Sequence, residues 1–153
     1  MVDKPGMTTL KQLEEIIEVQ KKTNARYSID FSEHFEVPAT LKAKKIIDSG
    51  EIGSVIQTIG LGPHRHNPDS RRPWFYEKKK FGGIINDIAS HQIDQFLWLT
   101  GSKDAQIINS SVANYTNFNH KEFEDFGEIL IRGKKSNGYI RVDWYTPDKL
   151  PNW

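Results

Sequence analysis

The sequence predicts an α+β fold built around a mostly antiparallel β-sheet. Helical apolar spacing dominates the earlier part of the chain, and β-rich segments dominate the later part. The last two β-rich segments are joined by Gly133 and Ser136-Asn137-Gly138, a hairpin signal that sets strands antiparallel.

The first element spans Thr8 to Thr23. Leu10, Leu13, Ile16, Ile17 and Val19 fall at near-helical spacing, and Thr8 or Thr9 can cap the start. Arg26 to Phe31 alternates as a short strand does. A second helix is expected from Pro38 to Ser49, with proline in its first turn and Gly50 as its stop. Ser54 to Leu61 reads as a strand, broken by Gly60-Leu61-Gly62-Pro63. Residues 63–83 read as a long loop rich in Pro, Arg, His and aromatic side chains, a composition that often carries function. A third, mostly apolar helix is expected from Gly83 to Thr100, ended by Gly101. Strands are expected over Ala105–Asn117, Phe123–Arg132 and Gly138–Tyr145. At the ends, Val2-Asp3-Lys4-Pro5 reads as the tail of a strand entering a loop, and Thr146–Trp153 as a loose loop.

The 153 residues suffice for one domain with a sizeable core. Lys plus Arg number 21 against 20 Asp plus Glu, so no basic footprint for nucleic acid or an anionic membrane exists. The compact run Lys78-Lys79-Lys80 reads as a solvated turn. The absence of cysteine excludes disulfides and thiolate metal sites, and fits a cytoplasmic, reducing compartment. No apolar run approaches the roughly 20 residues that span a bilayer.

The segment from Gly82 to Asp94 holds the most chemistry. On a regular helix Asp87 and His91 stand four apart and share a face, with Asp94 also in reach. A carboxylate beside an imidazole orients the ring and raises its basicity, which suits a general base near neutral pH. Such a pair also stabilises any helix; what favours chemistry is its setting in an otherwise apolar helix. Gly82-Gly83 would let a ligand or another backbone approach closely. A second cluster, His64-Arg65-His66 followed by Arg71-Arg72-Pro73-Trp74-Phe75-Tyr76, has the make-up of a polar small-molecule pocket. Trp74 and Phe75 could equally plug the core.

These residues, in this order, resemble the Gfo/Idh/MocA oxidoreductases. Asp3-Lys4-Pro5 resembles the Glu-Lys-Pro motif that closes that family's nucleotide-binding half. Ile46-Ile47-Asp48-Ser49-Gly50-Glu51-Ile52-Gly53 resembles the entry to its second domain. Arg72-Pro73-Trp74-Phe75, Gly82-Gly83, Asp87 and His91 resemble its catalytic segment, and Trp144-Tyr145-Thr146-Pro147 a later strand end. The resemblance implies the second domain of a Rossmann-containing dehydrogenase, an open sheet with helices on one face. It implies NAD or NADP as cofactor, held mainly by an N-terminal half, and a sugar, inositol or related polyol as substrate. It implies homo-oligomers formed through the outer sheet face. Carried over residue by residue, Lys4 would bond the reacting oxygen, His91 would be the general acid/base, and Asp87 its partner. Lys4 and Pro5 would also meet the cofactor, while His64, Arg72 and Trp74 would contact substrate.

The sequence departs from the family in lacking a Gly-x-Gly-x-x-Gly turn before Lys4-Pro5. Residues 1–23 are therefore expected to be the tail of a missing nucleotide-binding domain, and 24–153 the substrate-binding and catalytic domain, truncated at its end. Such a fragment is expected to be inactive alone. Two other readings stay open: a non-catalytic oligomerisation or ligand-binding module, and a metal-dependent hydrolase or isomerase using His64, His66, Asp87 and His91.

Overall fold

The computed structural model of the chain describes residues 1–150; the end of the expected C-terminal loop, 151–153, lies outside the described residues. The chain begins with a small β–α–β piece. Strand β1 (Val2–Asp3) pairs in parallel with β2 (Ile29–Asp30), and helix α1 (Leu10–Thr23) crosses between them. A capping box starts α1: Thr9 Oγ1 accepts from Gln12 N, and Gln12 Oε1 accepts from Thr9 N. Asn24, in the left-handed region, ends it. The apolar stripe read in the sequence is present but uncovered: no residue of α1 is buried, and Leu10 is 78% exposed. Ile16 and Val19 of that stripe, with Val2, Met7 and Tyr27, line a groove of about 1010 Å³.

Two helices follow. The four-residue α2 (Ser32–Phe35) has no counterpart among the expected elements, because one turn is too short to show a period. Helix α3 (Pro38–Asp48) starts on Pro38 and stops before Gly50, whose φ is +76°.

The central sheet has the order β3-β6-β5-β4, with β3 (Gln57–Pro63), β4 (Gln106–Ala113), β5 (Phe126–Arg132) and β6 (Asn137–Asp143). The β4–β5 and β5–β6 pairs are antiparallel, whereas β3 runs parallel to β6. The sheet is therefore mixed. The long helical excursion after β3 brings the chain back on the same heading, as a parallel pair requires. Glycines 60 and 62, expected to break the strand, lie inside it. A Cβ at Gly60 would stand 2.7 Å from Gln92 Cγ, and one at Gly62 would stand 2.9 Å from Gln92 Nε2. These glycines make room for helix α5 (Ser90–Thr100), which lies on this face. Gly138 does the same for Phe96 on β6. The opposite face is open, with Ile59 65% and Leu61 54% exposed.

The core lies between α5 and the sheet and continues under the 64–83 segment. Ile84, Phe96, Phe123, Ile140 and Val142 are fully buried, and Phe75, Phe81 and Trp144 join them. The expected loop is thus partly ordered by its aromatics, through tight turns at Pro68–Ser70 and Pro73–Tyr76. The lysine run is not a turn but a short helix, α4 (Lys78–Phe81), with Lys78 paired to Glu124. What approaches Gly83 is that same Glu124, whose carboxylate accepts from Ile84 N at 3.0 Å. Gly83 has φ +87°, and a Cβ there would stand 2.4 Å from Glu124 Oε2. Gly83→Ala is expected to lose about 2 kcal/mol or more, through backbone strain and a displaced buried carboxylate. A thermal melt would read this as a drop of several degrees.

Candidate active site

The expected third helix is not uniform. A π turn (Ile85–Ala89) precedes α5, a widening often found at functional sites. It separates the two side chains expected to pair. Asp87 turns to Lys4: Lys4 Nζ lies 2.8 Å from Asp87 Oδ1 and donates also to Asp87 O at 2.8 Å. The peptide between Lys4 and Pro5 is cis. The carboxylate against His91 belongs instead to Glu33 on α2, with Oε2 3.0 Å from His91 Nδ1. The two atoms are in close contact, and an ion pair there requires a protonated ring. Ser32 Oγ donates to the same Glu33 oxygen at 2.8 Å. Asp94, expected within reach of His91, is engaged by His34 at 2.7 Å, and His34 stacks between Phe35 and Trp98. Two adjacent residues of α2 thus hold two positions of α5.

Burial pulls the His91 pKa below that of an exposed histidine, with Lys4 acting in the same sense, while Glu33 and Asp87 oppose the fall. The shift favours the neutral imidazole, the form a proton acceptor needs. His64 is likewise lowered by burial. Its Nδ1 faces Gly62 O at 3.2 Å, and its ring stands edge-on to Trp144.

Lys4, Asp87, His91, His64, Arg72 and Trp74 all line one cavity of about 600 Å³, together with Pro5 and Glu33. This volume suits a small polar molecule. Arg72 and Trp74 stand exposed at its rim; Trp74 is 48% exposed and reaches the groove beside α1 as well. Phe75, read as a pocket or core aromatic, is both: it is buried in the core and lines the cavity. His66 stands apart, stacked on Phe123 and 3.1 Å from Tyr76 Oη through Nε2. Among the described residues no three His, Asp or Glu side chains converge as metal ligands. Glu33 is a charged lining residue outside the two clusters expected from the sequence. Glu33 gives no spacing signal, since it meets His91 only through tertiary packing. Arg71, expected as part of the second cluster, lines the cavity.

A lysine–carboxylate pair and a buried histidine thus share one cavity, beside a mixed sheet that follows a β–α–β unit. The chain belongs to the GFO/IDH/MocA C-terminal domain family, whose pattern matches residues 40–153. It is 30% identical over 106 residues to a levoglucosan dehydrogenase of Pseudarthrobacter phenanthrenivorans, covering 67% of this chain and 27% of that one. It is 27% identical over 115 residues to an uncharacterized oxidoreductase of Synechocystis, covering 74% of this chain and 31% of that one. A crystal structure of a provisionally assigned oxidoreductase from Erwinia carotovora atroseptica superposes with a TM-score of 0.94 at 44% identity, over 99% of this chain and 45% of its own. The fold is also that of a levoglucosan dehydrogenase bound to NADH and L-sorbose, with a TM-score of 0.81 at 22% identity, over 97% of this chain and 42% of that one. The chain thus spans less than half the length of these relatives. No helix among the described residues is long and apolar enough to cross a membrane.

Proposed function

We propose that this chain is the substrate-binding and catalytic part of an NAD(P)-dependent oxidoreductase that interconverts a CH–OH group and a carbonyl on a sugar, inositol or related polyol. The observation that carries this is the 2.8 Å Lys4–Asp87 pair on the same cavity as His91. In the oxidation direction, Lys4 holds the reacting oxygen through its ammonium and stabilises the charge that develops there. His91 takes the hydroxyl proton, and Asp87 fixes the ammonium. With Nδ1 against Glu33, transfer at His91 runs through Nε2.

The donor set fits a nicotinamide partner: lysine and histidine handle the proton, and no side chain on the cavity can take a hydride. NAD or NADP supplies the hydride acceptor or donor when bound. The residues that would meet its nicotinamide end are Lys4 and Pro5. Its phosphates find no cradle at Gly82-Gly83, which face Asn86 and the Glu124 carboxylate. We assign phosphate binding to an N-terminal half that precedes Lys4, with residues 1–23 as the end of that half. On this reading the β1–α1–β2 stub carries the junction as far as Asp30. Self-association through the open sheet face is part of the same reading, supported by exposed Ile59 and Leu61 beside Leu130.

The test is turnover by the oxidoreductase complete with its nucleotide-binding half, over a panel of polyols with both cofactors. His91→Asn is expected to lower kcat by about 10²-fold or more. Unchanged turnover would remove the general-base assignment.

Glu33 has a separate signature. Its charge raises the His91 pKa against burial, so Glu33→Gln lets that pKa fall further. The acid limb of the kcat/KM profile is expected to move to lower pH, with kcat reduced about 10-fold through loss of ring orientation. A profile that keeps its acid limb would show that Glu33 only packs against His91.

A further inference from the structure

Arg71 is held on the wall of the cavity by one hydrogen bond and two aromatic rings. Its Nε donates to His66 O at 2.9 Å. Its guanidinium carbon lies 4.3 Å from the Phe75 ring centre and 4.9 Å from that of Trp144, and both rings are buried. Among the described residues no carboxylate pairs with it, and its terminal nitrogens have no acceptor. The cavity's other charges are largely committed. Asp87 is engaged by Lys4, Glu33 faces His91, and Lys80 pairs with Glu77 outside the cavity. What remains is Arg71 and exposed Arg72 against exposed Asp3.

A half-buried guanidinium whose planar fork is pre-oriented but unfilled fits a carboxylate, which accepts two parallel N–H bonds. A neutral polyol would leave that charge uncompensated. We infer that the substrate is a sugar acid, an aldonate or a uronate, whose carboxylate docks on Arg71 while its reacting carbon faces Lys4 and His91. This rests on the oxidoreductase reading for the reacting end alone; the carboxylate anchor stands on the Arg71 geometry. The role of Arg71 is to select and orient the substrate.

The protein should be titrated with D-glucuronate, D-gluconate, D-glucose and D-glucose 6-phosphate at constant ionic strength, following tryptophan fluorescence, since Trp74 and Trp144 line the cavity. At least one sugar acid is expected to bind saturably and about 10-fold or more tighter than glucose. Arg71→Gln should abolish that preference, weakening binding of the acid far more than that of glucose. Arg71→Lys, which keeps the charge and loses the fork, guards against a folding defect and should lose most of the preference. Equal binding of glucose and the acids, tighter binding of the phosphate, a preference that survives both variants, or no saturable binding of either acid would each overturn the inference. The two readings separate in the complete oxidoreductase. Turnover of neutral polyols indifferent to Arg71 would keep the oxidoreductase reading and sink the sugar-acid one. Arg71-dependent binding of an acid with no hydride transfer to any substrate would do the reverse.

Discussion

Lys4→Met in the complete oxidoreductase is expected to lower kcat by about 10³-fold, the largest catalytic effect of any single substitution here. Lys4 lines the cavity, and its side chain is only 20% exposed. On the proposed mechanism, removing it deletes the stabilisation of charge on the reacting oxygen. It also strands Asp87, 16% exposed, as a carboxylate without its cation, so the loss compounds. Asp87→Asn should cost less, about 10-fold to 10²-fold, because the ammonium stays and only its aim is loosened. The effect should fall on kcat more than on KM, since the interaction strengthens as the reaction proceeds. A Lys4→Met enzyme that keeps its fold by circular dichroism and its kcat within about threefold would place the reacting oxygen elsewhere.

Asp125→Ala should be the most destabilising substitution, by about 4 kcal/mol. Asp125 is 0% exposed. Its carboxylate accepts from Tyr115 N at 2.8 Å, Thr116 N at 2.9 Å, Thr116 Oγ1 at 2.8 Å, Asn117 Nδ2 at 2.9 Å and Tyr145 Oη at 2.6 Å. These bonds tie the β4–β5 connection to the chain just beyond β6. That chain carries Trp144, which forms part of the cavity wall. Burial alone would raise the Asp125 pKa, but the hydrogen bonds from Tyr145 and the loop outweigh it and hold it at about 2. The folded-state pKa is thus depressed. The stabilisation is complete above the ordinary value of 3.8 and is lost as pH falls through about 2. Urea midpoints from pH 7 down to pH 2 should therefore fall at the acid end for the native protein. For Asp125→Asn the midpoint should be lower at neutral pH, with a smaller acid-end fall. Equal midpoints for the two proteins at pH 7 would show that the bonds contribute nothing net.

The residues brought to the cavity were largely visible in the sequence because they sit in short local patterns. Lys4-Pro5, Arg72-Pro73-Trp74 and Gly82-Gly83 with Asp87 and His91 each fall within a few residues. Element types were legible where length allowed a period to repeat, as in α1, α3 and α5. What stayed hidden was set by tertiary contact. The π turn changes which way Asp87 points, and apolar spacing reports nothing of a change from four to five residues per hydrogen bond. Glu33 lies far from His91 in sequence, on a helix of one turn. Gly60 and Gly62 carry a breaker's signature, yet serve as the floor for Gln92. The parallel placing of β3 beside β6 follows from the path of the intervening helices, which no strand pattern encodes.

The most direct test of the central claim, that these residues form the catalytic half of a nicotinamide-dependent enzyme, is a titration with NADH and NADPH. Two proteins are compared: this chain, and a form that carries the proposed N-terminal nucleotide-binding half. Energy transfer from tryptophan to the reduced nicotinamide reports binding. Saturable binding by the joined form, absent or about 10²-fold weaker in this chain, is the expected result. Binding of neither nucleotide by the joined form would contradict the account.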